Sequence, residues 1–273
     1  MIRDITLGQY FPGNTVLHKL DPRVKIILTV AYITAVFLAK NIYSFALITL
    51  SALALVFMSK ISARVIIKSM KPILFVLAFT TFFNVFFTTG EVLLVSFFGI
   101  EIYLEGIVFA IMMILRISAM LVGTTILLTY TTSPIMLTDA LERLLSPLRK
   151  IKLPVHEFSM MMTIALRFIP TLIEETDKIM SAQKARGADF ESGSLVKRAK
   201  ALVPILIPLF ISAFRRADEL ATAMECRCYT GGDGRTRMTK LKLAPRDFCA
   251  VIVFVVFIAG IVLLNFIPTA ISL

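Results

Sequence analysis

Four stretches of this sequence carry no charge or only one. Residues 41–59, between Lys40 and Lys60, make 19 uncharged positions, and residues 72–90, between Lys71 and Glu91, make 19 more. From Gly106 to Thr138 the only charge is Arg116, and after Asp247 none appears through Leu273, a run of 26. A helix needs about 20 mostly apolar residues to cross ~30 Å of hydrocarbon, so each run has the length of a crossing. A fifth, shorter run has 14 uncharged residues, Ile26 to Ala39, and spans if Lys25 and Lys40 extend their ammonium groups outward. The expected fold class is an all-α integral membrane protein with about five transmembrane helices. The composition agrees: 58% hydrophobic residues, 22 Phe and no Trp, with a mean hydropathy of +0.85.

Charge orients the spans. The formal charge is +11, from 29 Lys and Arg against 18 Asp and Glu. In so apolar a chain this excess reads as basic cytoplasmic loops rather than a nucleic-acid surface. Four basic residues lie in 1–25, one at Lys40, four in 60–71, none in 90–105, 19 in 131–246 and none in 268–273. High and low counts alternate as five spans require, which puts the N-terminus in the cytoplasm and the C-terminus outside. Residues 1–23 are polar and hold no apolar signal-peptide core, so the first span is expected to stay in place.

The chain therefore divides into a membrane bundle, 1–130, a cytoplasmic region, 131–246, and a last transmembrane helix, 247–273. Two apolar stretches inside the middle region, 158–173 and 201–214, contain Arg167 and Pro170, and Pro204 and Pro208. If both crossed the membrane, residues 174–200 would be exported with six basic residues, against the charge rule. They read as helix portions buried against each other or lying at the inner interface, with a crossing as the rival.

Within 131–246, "TTSP" (131–134) starts a helix, with Ser133 to cap it and Pro134 in the first turn. That helix runs to about Arg149, and "KLPVHE" breaks it. A long helix is expected from about Val155 to Arg186, closed by Gly187 in the left-handed conformation. "ADFESGS" (188–194) is a linker, and a further helix runs to about Cys228, closed by "YTGGDGR". Phe214, Ala217, Ala221, Met224 and Cys228 recur at intervals of 3, 4, 3 and 4, with charged residues off that line. This predicts an amphipathic helix with one packing seam.

The two long helices end alike. "SAQKARGADF" (181–190) carries Arg186, and "AMECRCYTGG" (223–232) carries Arg227, 41 residues later. Arg pairs with carboxylates through a planar fork and meets the negative end of a helix dipole favourably. Two such ends suit a pair of anchors in acidic grooves, or simply two completed helix ends.

The chemistry of catalysis is missing. "GGDGRT" (231–236) lacks the lysine ending of a phosphate loop and follows no strand. Cys226, Cys228 and Cys249 make no disulfide framework, and His18 and His156 lie in no metal-ligand cluster. No catalytic residues, metal or cofactor are expected. A stand-alone secondary transporter would need a polar path, for which Arg116 and Asn84 are the chief candidates. A membrane enzyme acting on lipid would have to use His156, Glu157, Glu174 and Glu175.

The chain resembles a known family, the transmembrane T component of energy-coupling factor transporters, which are ABC-type vitamin and metal importers. The likeness rests on "GQYFPGNTVLHKLDPRVKI" (8–26), similar to the family's His-x-Leu-Asp-Pro-Arg-x-Lys motif, and on "TTSP", "LRFIPTLIEE" (166–175), "AQKARGAD" (182–189) and "AMECRCYTGGDGRT" (223–236). It implies a prokaryotic plasma-membrane subunit that works with two ABC ATPases and a separate substrate-binding membrane subunit, of which several can be interchangeable. It implies further that Ala185, Arg186 and Gly187 form one ATPase-docking motif, and Cys226, Arg227 and Cys228 the other. The second departs from the family's Ala-Arg-Gly by having cysteines on both sides of the arginine. The apolar faces of the helices, including the methionines 160–162, would meet the substrate-binding subunit.

Overall fold

The computed structural model describes residues 10–90, 92–97, 100–190, 194–231 and 241–267. Among these the chain forms nine α-helices and one two-stranded hairpin. They fall into two compact units, one holding the described parts of 8–137 and 240–273, the other those of 138–239.

The first unit is a membrane bundle. Helix α1, Pro22–Leu38, starts where the side chain of Asp21 accepts a hydrogen bond from the backbone N–H of Arg23 and Pro22 occupies the first turn. Helix α2, Ile42–Ser59, stops at Lys60 in the left-handed conformation (φ 54°). Helix α3, Ala63–Met70, passes through a tight turn at Lys71–Ile73 into α4, Leu74–Phe87. The turn holds Pro72, which supplies no backbone donor. Helix α5, Leu104–Thr124, continues as a π-helical segment, Thr125–Tyr130, and α9, Pro245–Asn265, ends the described chain apart from two residues.

Helix α1 packs against α5 and α9. Its Tyr32 is buried, donates from Oη to the carbonyl of Ala119 at 3.2 Å, and fills the space where any side chain at position 123 would begin, so that position is glycine. Among the described residues four stretches are long and apolar enough to cross a membrane: Ile42–Ser59, Ala63–Phe87, Leu104–Tyr130 and Pro245–Asn265. Each overlaps one of the four long uncharged runs, but the second reaches that length only with α3 and the turn after it, which take in Arg64, Lys68 and Lys71 of the expected basic loop. The fifth expected span, α1, has 17 residues, about 26 Å of helix.

Two expectations change here. Lys25 does not reach outward; it is only 1% exposed, because acceptors from distant segments surround it. The 90–105 segment, which has no basic residue and reads as a plain loop, contains strands β1, Leu93–Phe97, and β2, Ile100–Tyr103, paired antiparallel with Val95 opposite Ile102 and Phe97 opposite Ile100. The segment is rich in β-branched and aromatic residues, which favour extended backbone.

The second unit starts within α6, Pro134–Leu144, whose first turn is capped by Ser133 through a 3.3 Å bond from the Met136 amide. A 3₁₀ stretch, Ser146–Ile151, follows, and Lys152 turns the chain with φ 60°. Helix α7, Val155–Ala185, runs 31 residues through Pro170, and α8, Leu195–Cys226, runs 32 through Pro204 and Pro208. Neither apolar stretch inside these helices is a separate element. The first lies in the first half of α7, ahead of a charged second half, and the second lies in the middle of α8, between Lys197–Lys200 and the charged residues from Arg215 on.

Candidate functional site

Helices α7 and α8 pack on each other. An ion pair joins them, Arg216 Nη2 to Glu175 Oε2 at 2.8 Å, with both side chains partly covered. Arg216 lies 41 residues after Glu175, the same interval that separates Arg227 from Arg186. Each arginine end therefore lies eleven residues beyond the ion pair, about 16 Å along its own helix.

The two ends close with one geometry. At the first, the Gly187 amide donates to the Lys184 carbonyl at 3.0 Å and the Ala188 amide to the Gln183 carbonyl at 3.0 Å. At the second, Cys228 donates to Glu225 at 2.8 Å and Tyr229 to Met224 at 3.0 Å. This is the Schellman closure, in which the residue after the cap takes the left-handed conformation. Gly187 has φ 86° and Cys228 φ 55°. Arg186 and Arg227 hold the cap position in both ends, and both are exposed. Among the described residues neither guanidinium has an ion pair. Ala185 and Cys226, the last helical residue of each, are exposed as well. The "GDGR" part of the segment expected to close α8 lies outside the described residues.

The predicted seam of α8 is open in this chain. Phe214, Ala217, Ala221 and Cys228 are exposed and Met224 is half-buried. The half-buried positions in that part of the helix are Ala213, Arg216, Leu220 and Met224, a line turned by about one residue from the expected one. Periodicity identifies the apolar face of a helix but not which neighbour covers it. The open face also extends further than the seam. Leu202, Val203, Leu206, Ile207, Phe210 and Ile211 are all exposed, in pairs one turn apart. Stretch 201–214 is therefore mostly uncovered, and in 158–173 Phe158, Met161 and Met162 are exposed while Met160 is half-buried.

The candidates for other chemistries do not assemble. His156 Nδ1 bonds Glu142 Oε1 at 3.0 Å, while Glu175 serves Arg216 nineteen residues along α7, about 28 Å away. Glu157 and Glu174 are exposed. In the bundle, Arg116 donates from Nη2 to the Ala39 carbonyl at 2.9 Å and lies 5.2 Å from the ring centroid of Phe45. The Asn84 amide donates to Thr80 within its own helix. Asn84 is thus bonded within its own helix, whereas Arg116 is held by a carbonyl of a distant segment and keeps its Nε buried without a partner among the described residues.

Sequence reasoning missed a buried polar knot at one end of the bundle. The ammonium of Lys25 donates to the Thr131 carbonyl at 2.8 Å, to the Thr132 and Thr131 hydroxyls at 3.1 and 3.2 Å, and to the His18 carbonyl at 3.4 Å. Asp247 is 2% exposed. Its carboxylate accepts from the amides of Asp21, at 2.8 Å, and Ala244, at 2.7 Å. Arg23 pairs with Asp21 at 3.0 Å and donates to the Leu241 carbonyl at 3.2 Å. His18 donates from Nε2 to the Phe11 carbonyl, 2.9 Å, which leaves Nδ1 to accept from the Thr15 hydroxyl, 2.6 Å. The knot ties the starts of α1 and α9 to the end of the π-helical segment. Its signal was present in "HKLDPRVK" and "TTSP", two separate motifs that the fold brings into contact.

The family model of CbiQ, described as a cobalt transport protein, matches residues 13–238. The chain is 53% identical to the energy-coupling factor transporter transmembrane protein EcfT of Ruminiclostridium cellulolyticum over 98% of this chain and 99% of that one. It is 55% identical to the protein of that name from Clostridium kluyveri, over 92% and 93% of the two chains. With the one from Bacillus subtilis it shares 44% identity over 95% and 97%.

Proposed function

This chain belongs to the family of energy-coupling factor transporter transmembrane proteins and is a multi-pass membrane component of a transporter, and on that premise we propose that it carries ATP-driven motion from two ABC ATPase subunits to a separate substrate-binding membrane subunit. Arg186 and Arg227 are the anchors, one for each ATPase. Ala185 and Gly187 shape the first tip, and Cys226 and Cys228 the second. The observation that carries this reading is the matched pair of Schellman-closed ends, each presenting an exposed arginine eleven residues beyond the ion pair that joins the helices. A single such end would be ordinary capping. Two of one geometry suit two copies of one kind of groove.

Residues 131–246 are the coupling region, and 1–130 with 247–273 are the membrane bundle. The tips face the cytoplasm, as does the N-terminus, because the basic residues concentrate there. The open stripe of α8, from Leu202 through Phe214 and on along Ala217 and Ala221, with the half-buried Met224 at its edge, is the face that meets the substrate-binding subunit. ATP hydrolysis belongs to the partners. The cargo is a vitamin or another micronutrient, recognised by the substrate-binding subunit.

Charge reversal at the tips tests the assignment. Arg186→Glu and Arg227→Glu should each weaken copurification of the ATPases, and the double variant should abolish it, since a charged anchor removed from a buried partner costs roughly 2–5 kcal/mol. The membrane fold should survive, because both side chains are exposed. A double variant that holds both ATPases at natural stoichiometry removes the docking role.

A further inference from the structure

The bundle contains an apolar groove of about 410 Å³, bordered by α1, α2, α9, the end of the π-helical segment and the chain before α1. Its floor is buried and consists of Leu17, Leu20, Leu28, Tyr32 and Leu127. Its rim, with Val16, Met58 and Val253, is exposed. The groove therefore opens sideways, toward the surroundings of the bundle. Its polar lining groups are mostly committed: Tyr32 Oη donates to Ala119 and Ser51 Oγ to Ile48. A polar ligand or ordered water would find few partners there.

One end differs. Arg246, in the first turn of α9, lines the groove, is exposed, and has no ion pair among the described residues. The neighbouring Asp247 makes no ion pair with it: its carboxylate is turned into the knot, where it accepts from two backbone amides. Lys19 precedes the lining residue Leu20, and Lys60 follows Met58 by two positions, so the same end is basic. From Arg246 to Phe257, both of them lining residues, α9 rises through eleven residues. That is about 16 Å, close to the ~15 Å of one hydrocarbon leaflet.

The geometry points to a binding site for one anionic phospholipid, with an acyl chain in the groove and its phosphate on Arg246. The groove has the volume of a small-molecule site. The inference rests on the membrane reading of the bundle but not on the coupling role of α7 and α8, nor on which side of the membrane the knot faces.

The chain has no tryptophan, so Phe257→Trp creates a single reporter at the deep end of the groove. The full chain is placed in symmetric vesicles of equal phosphatidylglycerol and phosphatidylcholine, with brominated acyl chains on one lipid or the other. Quenching should favour brominated phosphatidylglycerol by about fivefold, the selectivity of one basic residue for an anionic lipid. Arg246→Gln should remove most of that preference, leaving at most about twofold from the more distant Lys19 and Lys60. Ala250→Phe, which fills the groove, should reduce quenching to that of a reporter at the exposed position Val256. Parity in the Phe257→Trp chain, or quenching untouched by Ala250→Phe, overturns the site. Should the reporter variant fail to fold, native mass spectrometry of the natural chain extracted in mild detergent decides: one retained anionic phospholipid, lost in Arg246→Gln, is expected, and none retained overturns the site.

Discussion

At the start of α1 a lysine is 1% exposed and surrounded by acceptors, while on α8 Phe210 stands 66% exposed. The bundle buries charge and the arm displays apolar surface, each against the usual partition. In the bundle the exception is satisfied internally: Lys25 has acceptors from the chain before α1 and from Thr131 and Thr132, and Asp247 has two amides. In the arm the exception is left open, along a stripe that begins at Leu202 and reaches Ala221. A satisfied polar knot specifies how one chain folds. An uncovered apolar face specifies that something else must cover it. Substitutions in the first region should act on stability, and substitutions in the second on partners.

The largest effect should come from Lys25→Met. Methionine keeps the length and apolar volume of the side chain, but it leaves the Thr131 carbonyl and two hydroxyls without their donor. Bonds to a charged group contribute about 1.5–3 kcal/mol, and stranded buried acceptors cost a similar amount. The thermal midpoint of the detergent-solubilised chain should fall by roughly 5–10 °C. Docking of ATPases to the folded fraction should be unchanged. An unaltered midpoint would mean that the knot does not hold the bundle, and the contrast between the regions would fail on its first side.

A smaller effect, of a different kind, is expected from Ala217→Asp combined with Ala221→Asp. Both positions are exposed, so the folded chain should lose only the helix propensity of two Asp and their like-charge contact, about 1–2 kcal/mol. In proteoliposomes with the ATPases and a substrate-binding subunit, uptake should fall at least tenfold relative to ATP turnover, the equivalent of ~1.4 kcal/mol of lost coupling. The carboxylates would have to enter an apolar contact without partners. Equal losses of uptake and hydrolysis would show that the stripe is not the transmitting face. A large loss of thermal stability would show that it is covered within the chain after all.

What could be read from the sequence followed the range of each interaction. The four long crossings and the boundaries of α7 and α8 depend on local composition, and all were legible. Gly187 in the left-handed position was legible for the same reason, since helix closure involves six consecutive residues. Lys25 was not: its distance from the span boundary is local, but Thr131 comes 106 residues later. The seam of α8 was half legible. Its spacing announced an amphipathic helix, yet a line from Phe214 to Met224 and one from Ala213 to Met224 differ by less than one residue's turn about the axis, and only α7 decides which is covered. The hairpin at 93–103 escaped because a short segment beside two spans carries no periodic signal strong enough to set it apart.

The smallest predicted effect separates the two tips from each other. Their closures are alike, but the left-handed position is glycine in one and cysteine in the other. A side chain there brings Cβ against the following carbonyl, at a cost of about 1–2 kcal/mol, so the α8 tip should fray more readily than the α7 tip. Cys228→Gly should relieve the second end, and Gly187→Ala should loosen the first. The amides of Tyr229 and Ala188, which donate the closing bonds to Met224 and Gln183, report each end directly by hydrogen exchange. Protection of Tyr229 should rise about fivefold in Cys228→Gly, and that of Ala188 should fall by a similar factor in Gly187→Ala. The global midpoint should stay in place, because exposed helix ends open locally without unfolding the bundle. Unchanged exchange at both amides would mean that the backbone closure does not limit how the tips are presented, and the matched geometry would lose its place as the reason Arg186 and Arg227 are read as a pair.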